Sequence, residues 1–342
     1  MTLTWSRRLV AFVAICLSLG WMTPAQAGPY SALYAFGDSL SDIGNVFAGS
    51  GGTEPAAPYF AGRFSNGPIW LDYLAAQLGT GPMIPSLLGG TDFAFGSATT
   101  GYVPTLSNPS LAPTFAQQVA LFNAATGGVA PQSALYAVWI GGTDLLNILQ
   151  SGVSGAQALA LVQGAAATEA TEIAALVGAG ARSFLVGLLP DAGKAPSVTV
   201  FGPAAAAAAS ALAAAYNTAL ETDLSGLGAG PANIFYLDAF SLIDAVVANP
   251  GAFGLSNVTD PCYVGPLTGG GTVCATPDQY LFWDTDHPTS AAHAIVAAAA
   301  ANVAVPEPGS LSLLAVGLVG LLVCRRARFN SGIKKVELRT EA

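Results

Sequence analysis

Positive charge is scarce in this sequence. The 342 residues include 11 Lys and Arg against 20 Asp and Glu, and charged residues make up only 9% of the chain. Between Gly28 and Ala304 the basic residues are Arg63, Arg182 and Lys194, against seventeen acidic ones. Nucleic-acid binding needs basic side chains to neutralise phosphates, so we expect no nucleic-acid partner. Because acidic domains are common, the negative charge by itself indicates no particular substrate.

Histidine and cysteine are also rare, at two and four residues. The sequence has no Cys-x-x-Cys spacing and too few histidines for most metal centres, so we expect no metal and no cofactor. By contrast, 52% of the residues are hydrophobic, which is enough for a large core. Much of that share is alanine, in segments typical of packed helices rather than of membrane spans.

The first 27 residues have the pattern of a secretory signal peptide. Arg7 and Arg8 form a basic start, an apolar run covers residues 9–21, and Ala25-Gln26-Ala27 precedes Gly28. This order of charge, apolar run and small residues predicts cleavage by signal peptidase after Ala27. The alternative is a membrane anchor that the mature protein retains.

A second targeting segment is predicted at the other end, over residues 305–328. A Pro-Glu-Pro sequence stops the preceding helix, an apolar run covers residues 311–324, and an arginine cluster follows. The run is shorter than the roughly 20 residues of a full membrane span, so one interpretation is a short tail anchor. By the positive-inside rule, the arginines lie on the cytoplasmic side of the membrane and the domain lies outside the cytoplasm.

The order of these three features resembles the PEP-CTERM sorting signal of exopolysaccharide-producing Gram-negative bacteria. The resemblance implies processing by an exosortase, and a location in the cell envelope or outside the cell, with transient or stable anchoring in the inner membrane. The basic and polar tail of residues 329–342 departs from the pattern, because such signals normally end soon after the arginines.

The cysteines agree with export. Cys16 lies in the predicted signal peptide and Cys324 in the C-terminal apolar run, which leaves Cys262 and Cys274 in the domain. An even pair in an exported protein predicts a disulfide, here one that closes a Gly-rich loop.

Strands and helices alternate through the rest of the chain. Strands separated by helices of this length predict a parallel sheet with helices on both faces, in one domain over residues 28–304. The predicted strands cover residues 32–36, 135–140, 183–188 and 233–237, and the predicted helices cover residues 69–78, 156–177, 204–221 and 289–303.

Ser39 follows the first predicted strand, in the stretch Gly37-Asp38-Ser39-Leu40. The carboxyl ends of parallel strands are where α/β proteins bind ligands, and the N–H groups of a helix opening here would stabilise negative charge. Ser39 is therefore a candidate nucleophile. Because serine is more often used as an N-cap, the stretch alone leaves both roles open.

An Asp-x-x-His sequence near the end of the domain supplies a candidate base. Asp284 and His287 are three residues apart before the last predicted helix, so the carboxylate can hold the imidazole in one tautomer. The alternative is a solvated loop with a structural histidine. We expect Asp286 to be a solvated neighbour and His293 to be a packing or surface residue.

Together these segments resemble the GDSL family of SGNH hydrolases over essentially the whole domain. Residues 37–45 match the family's nucleophile block, residues 62–67 and 189–191 resemble further family segments, and residues 284–289 match its final block. Two specific blocks lie at opposite ends of the domain, in the family's order.

The resemblance implies a fold and a mechanism. The fold is a three-layer α/β/α sandwich with a flavodoxin-like parallel sheet. In the mechanism Ser39 is the nucleophile, His287 is the general base, and Asp284 orients the histidine.

The expected oxyanion hole departs from the family pattern at two positions. The block Asn-x-Ala-x-x-Gly reads Asp-Phe-Ala-Phe-Gly-Ser here, so Ser97 follows Gly96 at the position of the donor glycine. In the block Gly-x-Asn-Asp, Thr143 replaces the asparagine whose side chain donates. We expect Ser39, Gly96, Ser97 and Thr143 to form the hole, and Asp144 to cap the helix that follows. Loss of one donor can cost about 2.7–4 kcal/mol of transition-state stabilisation.

These patterns lead to one main hypothesis, an exported serine ester hydrolase. Its substrate would be a lipid ester, a short acyl ester or an acetylated polysaccharide. The altered positions Ser97 and Thr143 motivate an alternative, a catalytically weakened envelope protein that binds polysaccharide or acyl chains.

Overall fold

A computed structural model describes residues 29–102, 112–228 and 230–305. The predicted signal peptide, most of the predicted sorting segment and the tail of residues 329–342 lie outside these ranges. The chain divides into two units, one ending at Ala301 and the other beginning at Asn302. The strands all belong to the first unit.

The described elements alternate between strands and helices, as predicted. In chain order they are β1 (Leu33–Gly37), α1 (Asn45–Gly49), α2 (Trp70–Leu78), α3 (Phe115–Thr126), β2 (Leu135–Trp139), α4 (Gly142–Gln150), α5 (Gly155–Ala179), β3 (Ser183–Gly187), α6 (Pro196–Thr199), α7 (Pro203–Gly228), β4 (Asn233–Leu237), α8 (Ala239–Ala248), β5 (Asn257–Pro261), β6 (Tyr263–Val264), β7 (Thr272–Val273), β8 (Tyr280–Phe282) and α9 (Ser290–Ala304).

The main sheet is parallel and has the order β1-β2-β3-β4. On the outer side of β1, Phe93 and Phe95 donate backbone hydrogen bonds to Ala35 and Gly37. Because Asp92 also forms a parallel bridge to Ala35, this segment extends the sheet beyond β1. Counted along the chain, the order becomes 2-1-3-4-5, which is the flavodoxin-like order that the family resemblance implies.

Helices cover both faces of the sheet. On one face, alternate strand residues such as Phe36, Val138 and Val186 join a buried core with α3, α5 and α7. On the other face, Trp139 of β2 packs edge-on against Trp70 of α2, with 5.4 Å between the ring centroids. The predicted three-layer α/β/α fold is confirmed.

Two smaller sheets are formed by the short strands between Asn257 and Phe282. Strands β5 and β8 form a parallel pair, and β6 and β7 form an antiparallel hairpin. Cys262 and Cys274 at the base of this hairpin are joined by a disulfide bond. The sequence pattern predicted the bond but not the strands, which are too short to show an alternating pattern.

Candidate active site

The nucleophile turn follows β1 directly. Gly37 has a φ of 155°, and a Cβ atom there would lie 2.2 Å from the carbonyl oxygen of Trp139, so only glycine fits the position. The chain then turns back on itself, because the Asp38 carbonyl oxygen accepts hydrogen bonds from the N–H groups of Ser41 and Asp42. Ser39 is thereby held at the carboxyl edge of the sheet.

The prediction that a helix opens at Ser39 is wrong. Helix α1 begins six residues later, at Asn45, so Ser39 is not an N-cap. The Asp42 carboxylate caps this helix instead, by accepting from the N–H groups of Gly44, Asn45 and Val46. The N–H groups around Ser39 belong to a tight turn, and among the described residues that of Ser39 itself has no hydrogen-bond acceptor.

The structure brings Ser39, His287 and Asp284 together from opposite ends of the domain. The Oγ atom of Ser39 lies 2.8 Å from Nε2 of His287. On the other side of the ring, Nδ1 lies 2.9 Å from Oδ1 and 2.8 Å from Oδ2 of Asp284. This is the arrangement of a serine nucleophile, a general base and an orienting acid.

Electrostatic interactions favour a negatively charged Asp284 beside a protonated His287. Burial favours the neutral acid, but His287 and the hydrogen bonds from the N–H groups of Asp286 and His287 lower the pKa of Asp284 to about 2. Burial also opposes the charged imidazole, yet the surrounding carboxylates Asp284, Asp286 and Asp38 raise the pKa of His287 above its usual value. A proton taken from Ser39 would therefore be held readily by this ring.

Asp38 lies beneath the nucleophile. Burial raises the pKa of this carboxyl to about 6, against the opposing effect of hydrogen bonds from the N–H groups of Leu40 and Thr143. The side chain thus ties the nucleophile turn to the first turn of α4. Its role is to position these two segments.

Ser97 has the backbone conformation that the family's glycine would need. Its φ is 63°, in the left-handed region that residues with a Cβ rarely adopt. Among the described residues, the N–H of Ser97 has no hydrogen-bond acceptor, and the residue lines the same cavity as Ser39. The backbone therefore holds this donor free despite the substitution.

Gly96 does not fit the predicted oxyanion hole. Its N–H donates to Oδ2 of Asp42 over 2.8 Å, so the donor is already used. A side chain could not replace its hydrogen either, because a Cβ atom would lie 2.3 Å from the ring of Phe64. Gly96 is a packing position beside the site, and the prediction that it donates to the oxyanion is wrong.

Thr143 lies in the first turn of α4 and lines the cavity beside Ser39. Its hydroxyl has no hydrogen-bond partner among the described residues, so it is free to meet a substrate. Two residues earlier, Gly141 has a φ of 100°. A Cβ atom at this position would lie 2.3 Å from the Tyr216 hydroxyl oxygen, so glycine is required where the helix starts.

The prediction that Asp144 caps α4 is wrong. The residue lies inside the helix, whose N-cap position is Gly141. Its buried carboxylate accepts from both the N–H and the hydroxyl of Thr100, at 2.9 and 2.8 Å. Asp144 therefore joins α4 to the segment that follows Ser97.

A cavity of about 260 Å³ opens beside Ser39 and His287. One wall is a face of α4, and the opposite wall is the segment that begins with the Leu189-Pro190 motif. Half of its eighteen lining residues have apolar side chains: Leu40, Phe64, Leu145, Leu146, Leu189, Pro190, Ala192, Ala195 and Leu267.

Asp286 is more than a solvated neighbour. It lines the cavity, and its carboxylate accepts hydrogen bonds from the hydroxyls of Ser197 and Thr285. The N–H of Ser197 also donates to the carbonyl of Thr285, over 3.0 Å. Asp286 thus connects the start of α6, next to the cavity-lining Ala195, to the loop that carries His287.

Tyr59 is a site residue that sequence reasoning missed. Its hydroxyl donates to Oδ2 of Asp284 over 2.8 Å. It lies in a loop rich in Gly, Pro and Ala, where no spacing or periodicity marks a functional side chain. His293, by contrast, is a buried packing residue, which agrees with one of the two roles expected for it.

Within residues 29–102, 112–228 and 230–305, no three His, Cys, Asp or Glu side chains are grouped so that they could hold a metal ion.

Comparison with known proteins gives the family. The family model described as GDSL-like Lipase/Acylhydrolase matches residues 33–300, which is most of the chain. The chain belongs to the GDSL lipase/acylhydrolase family. A second model, the PEP-CTERM protein-sorting motif, matches residues 304–327, so the chain carries a signal for export and for C-terminal anchoring.

Relatives of this GDSL protein come from bacteria and plants. It is 28% identical to the thermolabile hemolysin of Vibrio parahaemolyticus, over 81% of this chain and 65% of that protein. It is 28% identical to a GDSL esterase/lipase of Arabidopsis thaliana, over 83% of this chain and 94% of that protein. A Pseudomonas putida protein from the trpE-trpG intergenic region is 30% identical, over 90% of this chain and 53% of its own length. The chain thus spans less than two thirds of two of these three relatives.

None of the helices within the described part of this GDSL protein is both long enough and apolar enough to span a membrane.

Proposed function

We propose that this GDSL protein is an exported serine hydrolase of carboxylic esters. The observation that carries the proposal is the hydrogen-bonded series from Ser39 through His287 to Asp284, at the mouth of an apolar cavity. Names of relatives that include esterase and lipase support the same class of reaction.

The reaction follows the geometry. Ser39 Oγ attacks the carbonyl carbon of the ester while its proton passes to Nε2 of His287. The imidazolium is stabilised by Asp284 and then gives this proton to the leaving alkoxide, which leaves as the alcohol. Water attacks the acyl-enzyme, with His287 again as base, and releases the carboxylic acid and free Ser39.

The oxyanion of each tetrahedral intermediate would be bound by three donors. They are the N–H groups of Ser39 and Ser97, both without a hydrogen-bond acceptor among the described residues, and the Thr143 hydroxyl. A hydroxyl on a short side chain replaces a carboxamide here, so we expect a slower enzyme than one with asparagine at this position.

The length of the cavity favours esters whose acyl chain is longer than acetyl. Its lining along α4 runs from Thr143 through Leu146 to Gln150, a distance of about 10 Å at the helical rise per residue. An acetyl group would leave this apolar space empty, whereas a chain of medium length would fill it. We therefore favour short-to-medium acyl esters over acetylated polysaccharide.

The test combines labelling with hydrolysis. A fluorophosphonate probe should form a covalent adduct on Ser39 of the wild type and none on Ser39→Ala. Among p-nitrophenyl acetate, butyrate, octanoate and palmitate, we expect the highest kcat/KM for butyrate or octanoate. A wild type that is neither labelled nor faster than Ser39→Ala would overturn the proposal in favour of a protein that only binds acyl chains or polysaccharide.

The terminal signals complete the proposal. Signal peptidase would remove residues 1–27, and an exosortase would act at the PEP-CTERM segment. The hydrolase would then work in the cell envelope or outside the cell.

A further inference from the structure

The acid of the proposed triad has a second side-chain partner, on the same Oδ2 oxygen that lies 2.8 Å from Nδ1 of His287. The Tyr59 hydroxyl donates to Oδ2 of Asp284 over 2.8 Å, in a contact that joins residues 225 positions apart. The other oxygen, Oδ1, accepts from the N–H groups of Asp286 and His287. Tyr59 is therefore the one side chain besides His287 that hydrogen-bonds this carboxylate within the part of the chain that the structure describes.

The Tyr59 ring is held in a slot of aromatic side chains. Tyr263 and Trp283 stack on each other, with centroids 5.4 Å apart and an angle of 13° between their planes. Tyr59 meets both rings edge-on, at 5.3 and 6.0 Å. Only 6% of Tyr59 is exposed, so its hydroxyl has little freedom to leave Asp284.

The disulfide hairpin forms the back of this slot. Cys262 belongs to the same buried cluster as Tyr59, and Tyr263 donates a backbone hydrogen bond of 2.6 Å to Trp283, next to Asp284. Across the loop, the N–H of Ala56 donates to the carbonyl of Leu267 in the hairpin. The loop that carries Tyr59 is thereby fixed to the disulfide hairpin on one side and to the catalytic loop on the other.

We propose that Tyr59 is a positioning residue of the active site, which holds Oδ2 of Asp284 so that the carboxylate faces the His287 ring. The inference rests on the proposed function, because it assigns Tyr59 to the same Ser39–His287–Asp284 series. It also gives a role to the disulfide hairpin, which supports the Tyr59 ring.

Removal of the Tyr59 hydroxyl should strengthen the electrostatic interaction between the Asp284 carboxylate and the His287 ring. The O–H of Tyr59 takes up part of the negative charge of the carboxylate, and without it more of that charge faces the imidazole. The other ionisable groups around the ring are Asp286 on the same loop, Asp38 in the nucleophile turn and His293 in α9. None of them contacts Tyr59 by a hydrogen bond, so they stay in place when its hydroxyl is removed.

The experiment compares Tyr59→Phe with Tyr263→Phe in the exported protein. Both variants remove one hydroxyl from the same aromatic cluster. Among the described residues, however, the Tyr263 hydroxyl hydrogen-bonds only the carbonyls of Pro266 and Gly270. Since the chain has only two histidines, an NMR titration can follow His287 directly, with His287→Gln to assign its signal. This measurement does not depend on activity.

In Tyr59→Phe we expect the pKa of His287 to rise by about half a pH unit or more, and to stay within error in Tyr263→Phe. The acidic limb of kcat/KM should move upward by the same amount, with a severalfold lower kcat near neutral pH. Thermal midpoints of both variants report any loss of folding. An unchanged pKa of His287 in Tyr59→Phe, or an equal change in Tyr263→Phe, would overturn the inference.

If the proposed function itself is wrong, the experiments give a different result. It would appear as a wild type without ester hydrolysis or fluorophosphonate labelling, while the titration of His287 would still decide the role of Tyr59.

Discussion

At the scale of single residues, two substitutions affect the proposed oxyanion hole of this GDSL protein. Ser97 keeps the left-handed backbone of the glycine that the family pattern expects, and its N–H is free within the described chain. The family's requirement at that position is a backbone donor, so the change from glycine costs strain but not the donor. Thr143 is different, because there the family uses a side chain.

The variant Thr143→Asn tests this position. The longer carboxamide would place an N–H donor over the carbonyl of the substrate, so we expect kcat to rise about tenfold or more with little change in KM. The measurement is steady-state hydrolysis of p-nitrophenyl butyrate. Thr143→Ala serves as the control and should be slower than the wild type if the hydroxyl donates. A Thr143→Asn enzyme no faster than the wild type would show that the present hole is complete.

At the scale of secondary-structure elements, short irregular segments shape the site more than helices and strands do. The Tyr59 loop, the disulfide hairpin and the segment of α6 all contact the loop of Asp284 and His287. They were not predicted, since they lack the regular spacing of apolar residues that marks helices and strands. The four strands of the main sheet, by contrast, were predicted to within one residue at each end, and β4 was predicted at its observed bounds.

Two helices of the described chain were also missed, α3 and α8. Helix α3 has a functional position, because the Gln118 side chain accepts from the N–H of Gly37 and donates to its carbonyl, at 2.9 and 2.8 Å. This pair of hydrogen bonds holds the end of β1, from which Ser39 follows. Helix α3 also contains Gln117 and Asn123, so one more polar side chain gives no signal of such a contact in the sequence.

The disulfide should contribute measurably to stability. Cys262 and Cys274 are 12 residues apart, and closing a loop of this size is worth up to about 3 kcal/mol in the chain-entropy model. In the double variant Cys262→Ala/Cys274→Ala we expect the free energy of unfolding in urea to fall by about that amount. The reduced wild type provides the matched comparison and should fall equally. Identical midpoints for all three proteins would contradict this account.

At the scale of the whole molecule, two features concern the chain as a whole: its net negative charge and its C-terminal sorting segment. The net charge of −9 is carried by a chain with few basic groups, so we expect electrostatic repulsion from anionic surfaces and nucleic acids. The PEP-CTERM match over residues 304–327 begins at the last residue of α9. The hydrolase domain is therefore followed directly by its sorting segment.

Mass analysis of the exported protein tests both terminal signals. In a bacterium that has an exosortase, we expect the mature chain to begin at Gly28 and to have lost the apolar run of residues 311–324. Replacing the Pro-Glu-Pro of residues 306–308 by alanines should preserve the N-terminal cleavage and block the C-terminal one. Recovery of the wild type with its apolar run intact would rule out sorting cleavage and leave a simple anchor.

The sequence by itself determined the family and the parallel α/β sheet, and it predicted Ser39, Asp284 and His287 as the candidate site. This was possible because each depends on a local pattern: apolar strand lengths, helix spacing, and short blocks in which one residue is placed by its immediate neighbours. Even the pairing of Asp284 with His287 is local, since three residues separate them.

Only the tertiary structure decided which groups are free and which are already used. The N–H of Gly96 is taken by Asp42, Asp144 is bound to Thr100, and Tyr59 reaches Asp284 across 225 positions. Each of these contacts joins segments distant in the chain, and their distances depend on how loops pack on the finished sheet. No local pattern encodes such a distance, because the hydrogen-bond partners meet only after the core has formed.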